Sequence, residues 1–249
     1  MLKILKTRIH QGYRTSQYPT KPLTLHRHFK GLPQVNTACR DEMAQRCAEM
    51  CPQEAIDAKK RLIDLGKCVF CGLCERISNG EFVHFTNEFA MAATRREDLL
   101  TSGAMPDLTV HRRKDVQGLF GRSVQLRQVS AGGCNACEAD TNVLNTPFFD
   151  LSRFGIGFAA SPRHADGIHV TGPVTRNMRE ALLRTYDAVP EPKIVIAAGC
   201  CAISGGPFRG SPEIIPLETL VPVDLYIPGC PPHPMTNLDA FLRFFKTDQ

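Results

Sequence analysis

The chain is predicted to be an α/β protein whose second half, residues 123–249, contains a parallel sheet. Short β-rich runs and helical stretches alternate there at the spacing expected when parallel strands are covered by helices on both faces. The β-rich runs are SVQLRQV, GIGFAAS, GIHVTG, KIVIAAG and VDLYIPG, and the helical stretches are TRNMREALLRTYDAV and PMTNLDAFLRFF.

Four cysteines occur in three turns of this half, each after a predicted strand. Cys134 and Cys137 lie in GCNACEAD, Cys201 in AGCCAISGG and Cys230 in IPGCPPHP. Ligands of open α/β sheets lie beyond the carboxyl ends of the strands, near the point where the strand order reverses. We therefore expect these four thiols to face one edge of the sheet and to form one site.

A second set of cysteines lies in the first half. Cys51, followed by Pro52, and then Cys68, Cys71 and Cys74 have the ligand spacing of a bacterial ferredoxin, in which the Cys-Pro ligand serves the cluster built mainly by the other half. The two segments CAEMCPQEAI and CVFCGLCERI are similar. This repeat predicts the internal pseudo-symmetry of a ferredoxin.

The composition argues against a disulfide scaffold, a secreted protein and a membrane-spanning protein. The apolar fraction of 43% supports a hydrophobic core in this chain of 249 residues. The eleven cysteines are an odd number in a chain of ordinary length and cluster in Gly- and Pro-flanked turns, so metal binding in a reducing compartment fits better than a disulfide scaffold. The sequence has neither the apolar core of a signal peptide nor a run long enough to span a bilayer.

The N-terminal residues differ from the remainder in charge. Residues 1–40 contain eight Lys and Arg and no acid. We predict an extended basic arm over 1–38, a ferredoxin-like domain with a polar connector over 39–122, and the α/β domain over 123–249. The arm is either a solvated tail or a docking segment for an acidic partner or anionic lipid headgroups. The expected location is cytosolic, or peripheral on the cytoplasmic face of the membrane.

Thiolates suit two kinds of metal centre. Their soft sulfur holds iron-sulfur clusters, which supply one-electron transfer, and four thiolates also suit tetrahedral zinc. Three cysteines at intervals of three with a remote Cys-Pro are rarer for zinc, whereas the spacing of the second-half cysteines alone leaves zinc open. Glycines at the second-half turns, Gly133, Gly199, Gly205, Gly206 and Gly229, permit close backbone approach to a bound group.

The second half resembles the small subunit of energy-converting, membrane-bound nickel-iron hydrogenases and the homologous B subunit of respiratory complex I. The strings that carry the resemblance are GCNACEAD, FGIGFAASPRHADGIHVTGPVTRNM, ALLRTYDAVPEPKIVIAAGCCAISGG and VPVDLYIPGCPPHP. The resemblance implies a flavodoxin-like doubly wound sheet and a proximal 4Fe-4S cluster held by Cys134, Cys137, Cys201 and Cys230 beside a catalytic large subunit.

Two motifs refine this resemblance. The complex I homologues carry adjacent cysteines at the first motif, whereas hydrogenase small subunits carry Cys-x-x-Cys, so Cys134 and Cys137 place the chain nearer the hydrogenases. The family pattern Gly-x-Cys-Ala selects Cys201 as the ligand, and Cys200 is then a packed thiol.

The first half resembles the polyferredoxin-like subunit that accompanies such hydrogenases and its complex I counterpart, through MLKILKTRIHQGYRTSQYPTKPL, FKGLP and TNEFAMAATRREDLL. That family usually has two complete cysteine runs. Here Cys39, Cys47 and Cys51 remain of the first run, and Ser78-Asn79 replaces Cys-Pro in the second. We therefore predict one 4Fe-4S cluster in this domain, on Cys51, Cys68, Cys71 and Cys74, with Cys39 and Cys47 as packed relics and Asp41 as an alternative ligand.

Three further residues have two interpretations each. Glu138 is either a proton relay beside the cluster or an acid that complements a helix N-terminus. Arg163 and His164 either donate hydrogen bonds towards the cluster or the large subunit, or lie in an ordinary turn or interface. No catalytic residue is predicted in this chain.

The resemblance implies an electron-transfer subunit of a hydrogenase complex with two 4Fe-4S clusters. Its implied partners are a hydrogenase large subunit, membrane-arm subunits and a redox donor or acceptor protein, without nucleic acid. The alternatives are a complex I-like quinone- or ferredoxin-linked oxidoreductase without nickel-iron catalysis and, from another class, a zinc-stapled assembly protein.

Overall fold

A computed structural model of the chain describes residues 2–105 and 123–245. Residues 106–122, which make up much of the predicted polar connector, lie outside the described residues. All eleven cysteines fall inside the two described ranges, and all eleven are free thiols.

The first half consists of short elements. Its helices are α1 (Leu2–Gln11), α2 (Asp41–Glu49) and α3 (Leu73–Ile77). Its strands are β1 (Pro33–Val35), β2 (Ile56–Asp57), β3 (Leu62–Asp64), β4 (Val83–Phe85) and β5 (Leu100–Thr101), which form the two small sheets β1-β4 and β2-β3-β5.

The second half alternates strands and helices, as its sequence predicts. Its strands are β6 (Val124–Ser130), β7 (Ile156–Phe158), β8 (Gly167–Thr171), β9 (Val174–Thr175), β10 (Ile194–Ala198), β11 (Ile214–Ile215) and β12 (Leu225–Ile227). Its helices are α4 (Ala136–Val143), α5 (Arg176–Ala188), α6 (Cys200–Ser204) and α7 (Pro234–Phe245).

Five of these strands form one sheet in the order β12-β10-β8-β6-β7, and every neighbouring pair in it is parallel. Counted along the chain this is the order 2-1-3-4-5 of flavodoxin-like sheets, with its reversal between β6 and β8. The predicted flavodoxin-like parallel α/β sheet is confirmed.

The sheet is covered on both faces. Strands β8 and β10 are buried at every position, as parallel strands enclosed by helices must be. Leu182 of the amphipathic helix α5 packs with Val170 and Val195 on one face. Phe241 of α7 packs with Leu126 and Ile196 on the other, and every residue of α7 except Arg243 is buried. With helices on both faces, the carboxyl ends of the strands lie together at one uncovered edge of the sheet.

The prediction of an extended N-terminal arm is wrong for residues 2–11, which form α1. Leu2, Leu5 and Ile9 recur at helical spacing, a period that the Pro- and Gly-rich run after them does not have. No residue of α1 is buried, and these three side chains are 57–80% exposed.

After α1 the arm lies on the α/β domain. The Tyr18 hydroxyl donates to Asp239 Oδ1 of α7 at 2.7 Å. Arg153 donates to the carbonyl oxygens of Ser16 and Tyr18 at 2.7 and 2.8 Å. The course of residues 16–18 is therefore fixed by hydrogen bonds to α7 and to Arg153.

The two halves share a core and a backbone contact. Buried Leu65 and Leu99 of the first half belong to the same hydrophobic cluster as Ile203 of α6. The amide of Ala93 donates to the carbonyl of Tyr226 in β12 at 3.0 Å, and the reciprocal bond is 2.8 Å. The predicted division at residues 38 and 122 therefore separates segments that are packed together.

Candidate metal centres

The four cysteines of the ferredoxin motif line one cavity. Cys51, Cys68, Cys71 and Cys74 surround a space of about 380 Å³, part of it open to solvent, together with apolar side chains including Ile63 and Phe85. Cys71 is exposed and the other three are half-buried. The spacing of these residues in sequence therefore brings four thiols to one cavity in the fold.

Backbone amides in this cavity point at sulfur. The Ala55 N–H donates to Cys51 Sγ at 3.4 Å, and the Phe70 N–H donates to Cys68 Sγ at 3.3 Å. Phe70 has φ of +54° and Gly72 has φ of +69°, so the Cys68–Cys74 turn uses left-handed backbone twice. Such donors stabilise sulfur that carries negative charge.

Burial disfavours thiolates in this cavity when no metal is present. Desolvation raises the pKa of Cys74 to about 12, and it raises the pKa of Cys68 still further. A bound cation reverses this effect, because metal coordination deprotonates a thiol outright. Four thiols around one cavity, with amides directed at two of the sulfurs, are a donor set that fits an iron-sulfur cluster.

The three cysteine turns of the second half follow β6, β10 and β12, which places them at one edge of the sheet. A Cβ built on Gly199 would lie 2.8 Å from Cys137 Sγ, so the turn after β10 touches the turn after β6. The Cys200 amide donates to the Gly229 carbonyl at 2.9 Å, which joins the turns after β10 and β12. The expected convergence of these turns is therefore present.

Burial and neighbouring groups shift the pKa values of two of these second-half thiols. Burial raises the pKa of Cys137 to about 12, and the charges of Glu138, Cys201, Cys230 and Cys134 add to the shift. A hydrogen bond from Cys200 lowers the pKa of Cys230 to about 7 against the opposing effect of burial. Cys134, Cys201 and Cys230 therefore all lie close enough to Cys137 to affect its protonation, as thiols that share one metal group would.

Cys200 is more than a packed thiol. It is 1% exposed, as predicted for a residue that is not a ligand, yet its side chain hydrogen-bonds both Cys201 and Cys230. These interactions are the largest causes that raise its pKa, so Cys200 retains its single proton and can donate it to either neighbour. Nothing in the motif AGCCAISGG predicts that Cys200 contacts two of the predicted ligands.

The remaining two cysteines lie outside both centres. Cys39 and Cys47 are 6% and 0% exposed, and Cys47 Sγ contacts the Cys74 carbonyl oxygen at 3.6 Å. Asp41 is exposed and pairs with Arg61, whose guanidinium also donates to the Cys39 carbonyl at 2.8 Å. The two thiols are therefore packed in the core, and Asp41 is engaged in an ion pair.

The Glu138 carboxylate is ionised and accepts hydrogen bonds from two hydroxyl groups. It is 8% exposed in the first turn of α4, and Oε1 accepts hydrogen bonds from Ser130 Oγ at 2.6 Å and Thr171 Oγ1 at 2.8 Å. Burial raises its pKa, but these hydrogen bonds and its own backbone amide outweigh burial, and the net pKa is lowered. This geometry favours an acid that complements the helix N-terminus, whereas Arg163 and His164 lie in a 3-10 turn in which neither side chain is buried.

The two centres are joined by direct contacts between their loops. Arg209 Nη2 donates to the Gln53 carbonyl at 3.0 Å and to Glu54 Oε2 at 2.9 Å. A Cβ on Gly66, two residues before Cys68, would lie 2.7 Å from Cγ2 of Ile203, two residues after Cys201. Arg209 belongs to neither cysteine motif, and nothing in the sequence singles it out.

Two further observations concern metal and membrane. Within residues 2–105 and 123–245, no three His, Cys, Asp or Glu side chains are close enough together to hold a single metal ion. In the same residues no helix has both the length and the apolar character needed to cross a membrane.

A parallel sheet of flavodoxin order, with three cysteine turns at its carboxyl edge, places the second half in the α/β class. The family model described as "NADH ubiquinone oxidoreductase, 20 Kd subunit" matches residues 134–244. The chain belongs to this family, and it is a subunit of an oxidoreductase complex.

Relatives within the family have two kinds of name. The chain is 45% identical to the probable membrane-bound hydrogenase subunit mbhJ of Pyrococcus furiosus, over 46% of this chain and 70% of the relative. It is 46% identical to formate hydrogenlyase subunit 7 of Escherichia coli, over 48% of each chain. It is also 46% identical to the B subunit of the NADH-quinone oxidoreductase of Carboxydothermus hydrogenoformans, over 47% of this chain and 72% of the relative.

Proposed function

We propose that this chain is the electron-transferring small subunit of a membrane-associated nickel-iron hydrogenase complex of the energy-converting type. It relays electrons through two 4Fe-4S clusters, one on Cys51, Cys68, Cys71 and Cys74 and one on Cys134, Cys137, Cys201 and Cys230. The clusters supply reversible one-electron chemistry, and the hydrogen chemistry belongs to the large subunit. The observation that carries this proposal is the direct contact between the two cysteine-bearing regions through Arg209.

The contact matters because a relay needs its two stations close together on one rigid body. The Gln53 carbonyl and the Glu54 carboxylate, which accept from Arg209, follow Cys51 by two and three residues. Arg209 itself follows Cys201 by eight residues and is connected to it through the turn at Gly205, whose amide donates to the Cys201 carbonyl at 2.9 Å. The shared core beneath both turns supports the same arrangement.

The exposed cysteines at the two centres indicate where partner proteins can bind. Cys134 and its neighbours Gly132 and Gly133 are exposed, which leaves the second-half centre open to a large subunit. Cys71 is exposed at the other centre, where a redox donor or acceptor protein can approach. Two open faces on a single connected body are what an intermediate in an electron chain requires.

The N-terminal helix supports attachment at the membrane. Helix α1 has Leu2, Leu5 and Ile9 exposed, and Lys3 and Lys6 lie among them without an acid on the helix. A basic amphipathic helix of this kind binds an anionic lipid surface or the membrane-arm subunits. We therefore place the subunit peripherally, on the cytoplasmic face of the inner membrane.

A second candidate is a complex I-like quinone- or ferredoxin-linked oxidoreductase without nickel-iron catalysis. The observation that favours it is the 46% identity to a protein named for NADH-quinone oxidoreductase. The cysteine pairs of the co-encoded large subunit separate the two candidates: two Cys-x-x-Cys pairs near its two ends support the hydrogenase, and their absence supports the complex I-like enzyme.

Metal analysis of the purified full chain tests the relay itself. Two 4Fe-4S clusters correspond to about eight irons per chain with an equal amount of acid-labile sulfide. Low-temperature EPR of the reduced protein then shows two cluster signals. Stoichiometric zinc without sulfide would instead identify the zinc-stapled assembly protein and exclude the relay.

A further inference from the structure

The arm residues Phe29 and Lys30 contact the loops of both centres. The Phe29 ring meets His233, three residues after Cys230, edge-to-face at 5.2 Å between centroids. Lys30 lies over the turn that contains Cys71: a Cβ on Gly72 would be 2.9 Å from Lys30 Nζ and would also collide with its Cδ and Cε. The arm thus reaches from one cysteine region to the other within two residues.

The ammonium of Lys30 is held against the wall of the ferredoxin-type cavity. Its Nζ is 5.3 Å from the centre of the Phe85 ring, and both Phe85 and Gly72 line that cavity. It forms an ion pair at 2.6 Å with Glu75, directly after Cys74. The Lys30 side chain is 34% exposed, so solvent screens its charge only in part.

The backbone on either side of Lys30 is fixed. Phe29 donates its amide to the His26 carbonyl at 2.8 Å, and Gly31 donates to the Thr86 carbonyl at 2.9 Å. Leu32 donates to the Glu88 carbonyl at 2.8 Å. Hydrogen bonds on both sides therefore fix the backbone from which Lys30 extends, and the ion pair with Glu75 holds its ammonium.

We propose that Lys30 sets the reduction potential of the centre in the Cys51, Cys68, Cys71 and Cys74 cavity. Reduction adds one electron, and hence one negative charge, to the group in the cavity. A fixed cation nearby stabilises that added charge and raises the potential. Loss of Lys30 also leaves the Glu75 carboxylate less compensated, and this charge opposes reduction. The inference rests on the proposed function, because it needs a redox cluster in this cavity.

The test is a potentiometric EPR titration of the reconstituted full chain, with the second-half cluster as an internal reference. For Lys30→Gln, we expect the ratio of reduced to oxidised cluster at a fixed potential to fall roughly three- to tenfold at the ferredoxin-type centre. The second-half cluster should be unchanged. Lys30→Arg should remain close to wild type, since it keeps the charge.

A matched control and a variant of opposite sign complete the test. Lys60→Gln removes the same charge from an exposed pair with Asp57 in the same domain, and it should leave the potential unchanged. Glu75→Gln should raise the potential, and it decides the question if Lys30→Gln fails to retain its cluster. An unchanged or lowered potential in Glu75→Gln would then overturn the proposal.

Other outcomes also separate this inference from the proposed function. A normal cluster with an unshifted potential in Lys30→Gln, or an equal shift at both clusters, overturns the role of Lys30 and leaves the relay intact. The absence of any cluster signal from this cavity in the wild-type chain overturns the proposed function, and the inference with it.

Discussion

Arg209 joins the two cysteine-bearing halves of the chain by donating to Glu54 Oε2 at 2.9 Å, and the same Nη2 donates to the Gln53 carbonyl. The Glu54 carboxylate is largely exposed, so the ion pair itself adds little stability. The bond to a backbone carbonyl is different, because it fixes the position of the Cys51 loop relative to the Cys201 turn.

For Arg209→Ala, both cluster signals should persist while the magnetic interaction between the two reduced clusters weakens. The free energy of unfolding should fall by about 1 kcal/mol. EPR of the fully reduced chain and chemical denaturation measure the two effects. Arg184→Ala, which removes an exposed pair with Glu180 on α5, is the control and should change neither. An undisturbed interaction in Arg209→Ala would contradict the bridging role.

Gly199→Ala should abolish the second-half cluster and spare the ferredoxin-type cluster. The backbone of Gly199 has φ of +91°, and an added Cβ would lie 2.8 Å from Cys137 Sγ. Iron analysis should show about four irons per chain in place of about eight. Gly210→Ala is the matched control, because its φ is +85° but nothing lies within 4 Å of the added Cβ. Loss of iron from both variants alike would attribute the effect to backbone strain and not to the cysteine contact.

Cys137→Ala and Cys47→Ala should have opposite consequences for iron. Cys137→Ala should remove the signal of the second-half cluster and keep the ferredoxin-domain signal. Cys47→Ala should keep the full iron content and cost about 1–2 kcal/mol of stability, since it removes a fully buried sulfur. EPR and iron analysis on the same preparations check both statements. An unchanged EPR spectrum in Cys137→Ala would refute the ligand assignment.

His169→Phe should flatten the acid dependence of stability. His169 is fully buried on β8 between Phe158 and Phe241, and neither ring nitrogen has a hydrogen-bond partner within the described residues. Burial lowers its pKa from 6.5 to about 4, against a smaller opposing effect of Glu138. The unfolded chain therefore binds an extra proton between these two values, and stability falls as pH drops through that window.

The size of this effect is about 3 kcal/mol across the window, from the shift in pKa. Denaturation of wild type and His169→Phe at pH 7 and pH 4.5 measures it. The loss on acidification should be smaller in His169→Phe, while a substitution of the exposed His164 should retain the wild-type loss. Equal losses in wild type and His169→Phe would show that another group carries the acid dependence.

The sequence predicts the α/β half well because its signals are local. Each strand of the sheet lies in a β-rich run, and each cysteine turn follows a strand directly, so the parallel order brings the turns after β6, β10 and β12 to one edge. The ferredoxin spacing is local in the same sense, and Cys51, Cys68, Cys71 and Cys74 line one cavity as expected. The identity of the bound groups stays a prediction.

What the sequence could not predict depends on long-range packing. Arg209 meets Gln53 across 156 positions of sequence, and Lys30 meets Glu75 across 45. Charged residues are common, and no spacing rule selects these two before the fold is known. Helix α1 differs from the prediction for another reason: its periodic run is short, and the Pro- and Gly-rich segment directly after it dominates the pattern of the arm.

The pairing of Ala93 with Tyr226 has a consequence for solubility. Strand β12 ends the five-stranded sheet, and an uncovered terminal strand is a template on which a second molecule can add. The two mutual hydrogen bonds of Ala93 occupy part of that template from within the same chain. The packing of the first half against β12 thereby protects this edge of the sheet against intermolecular strand addition and aggregation.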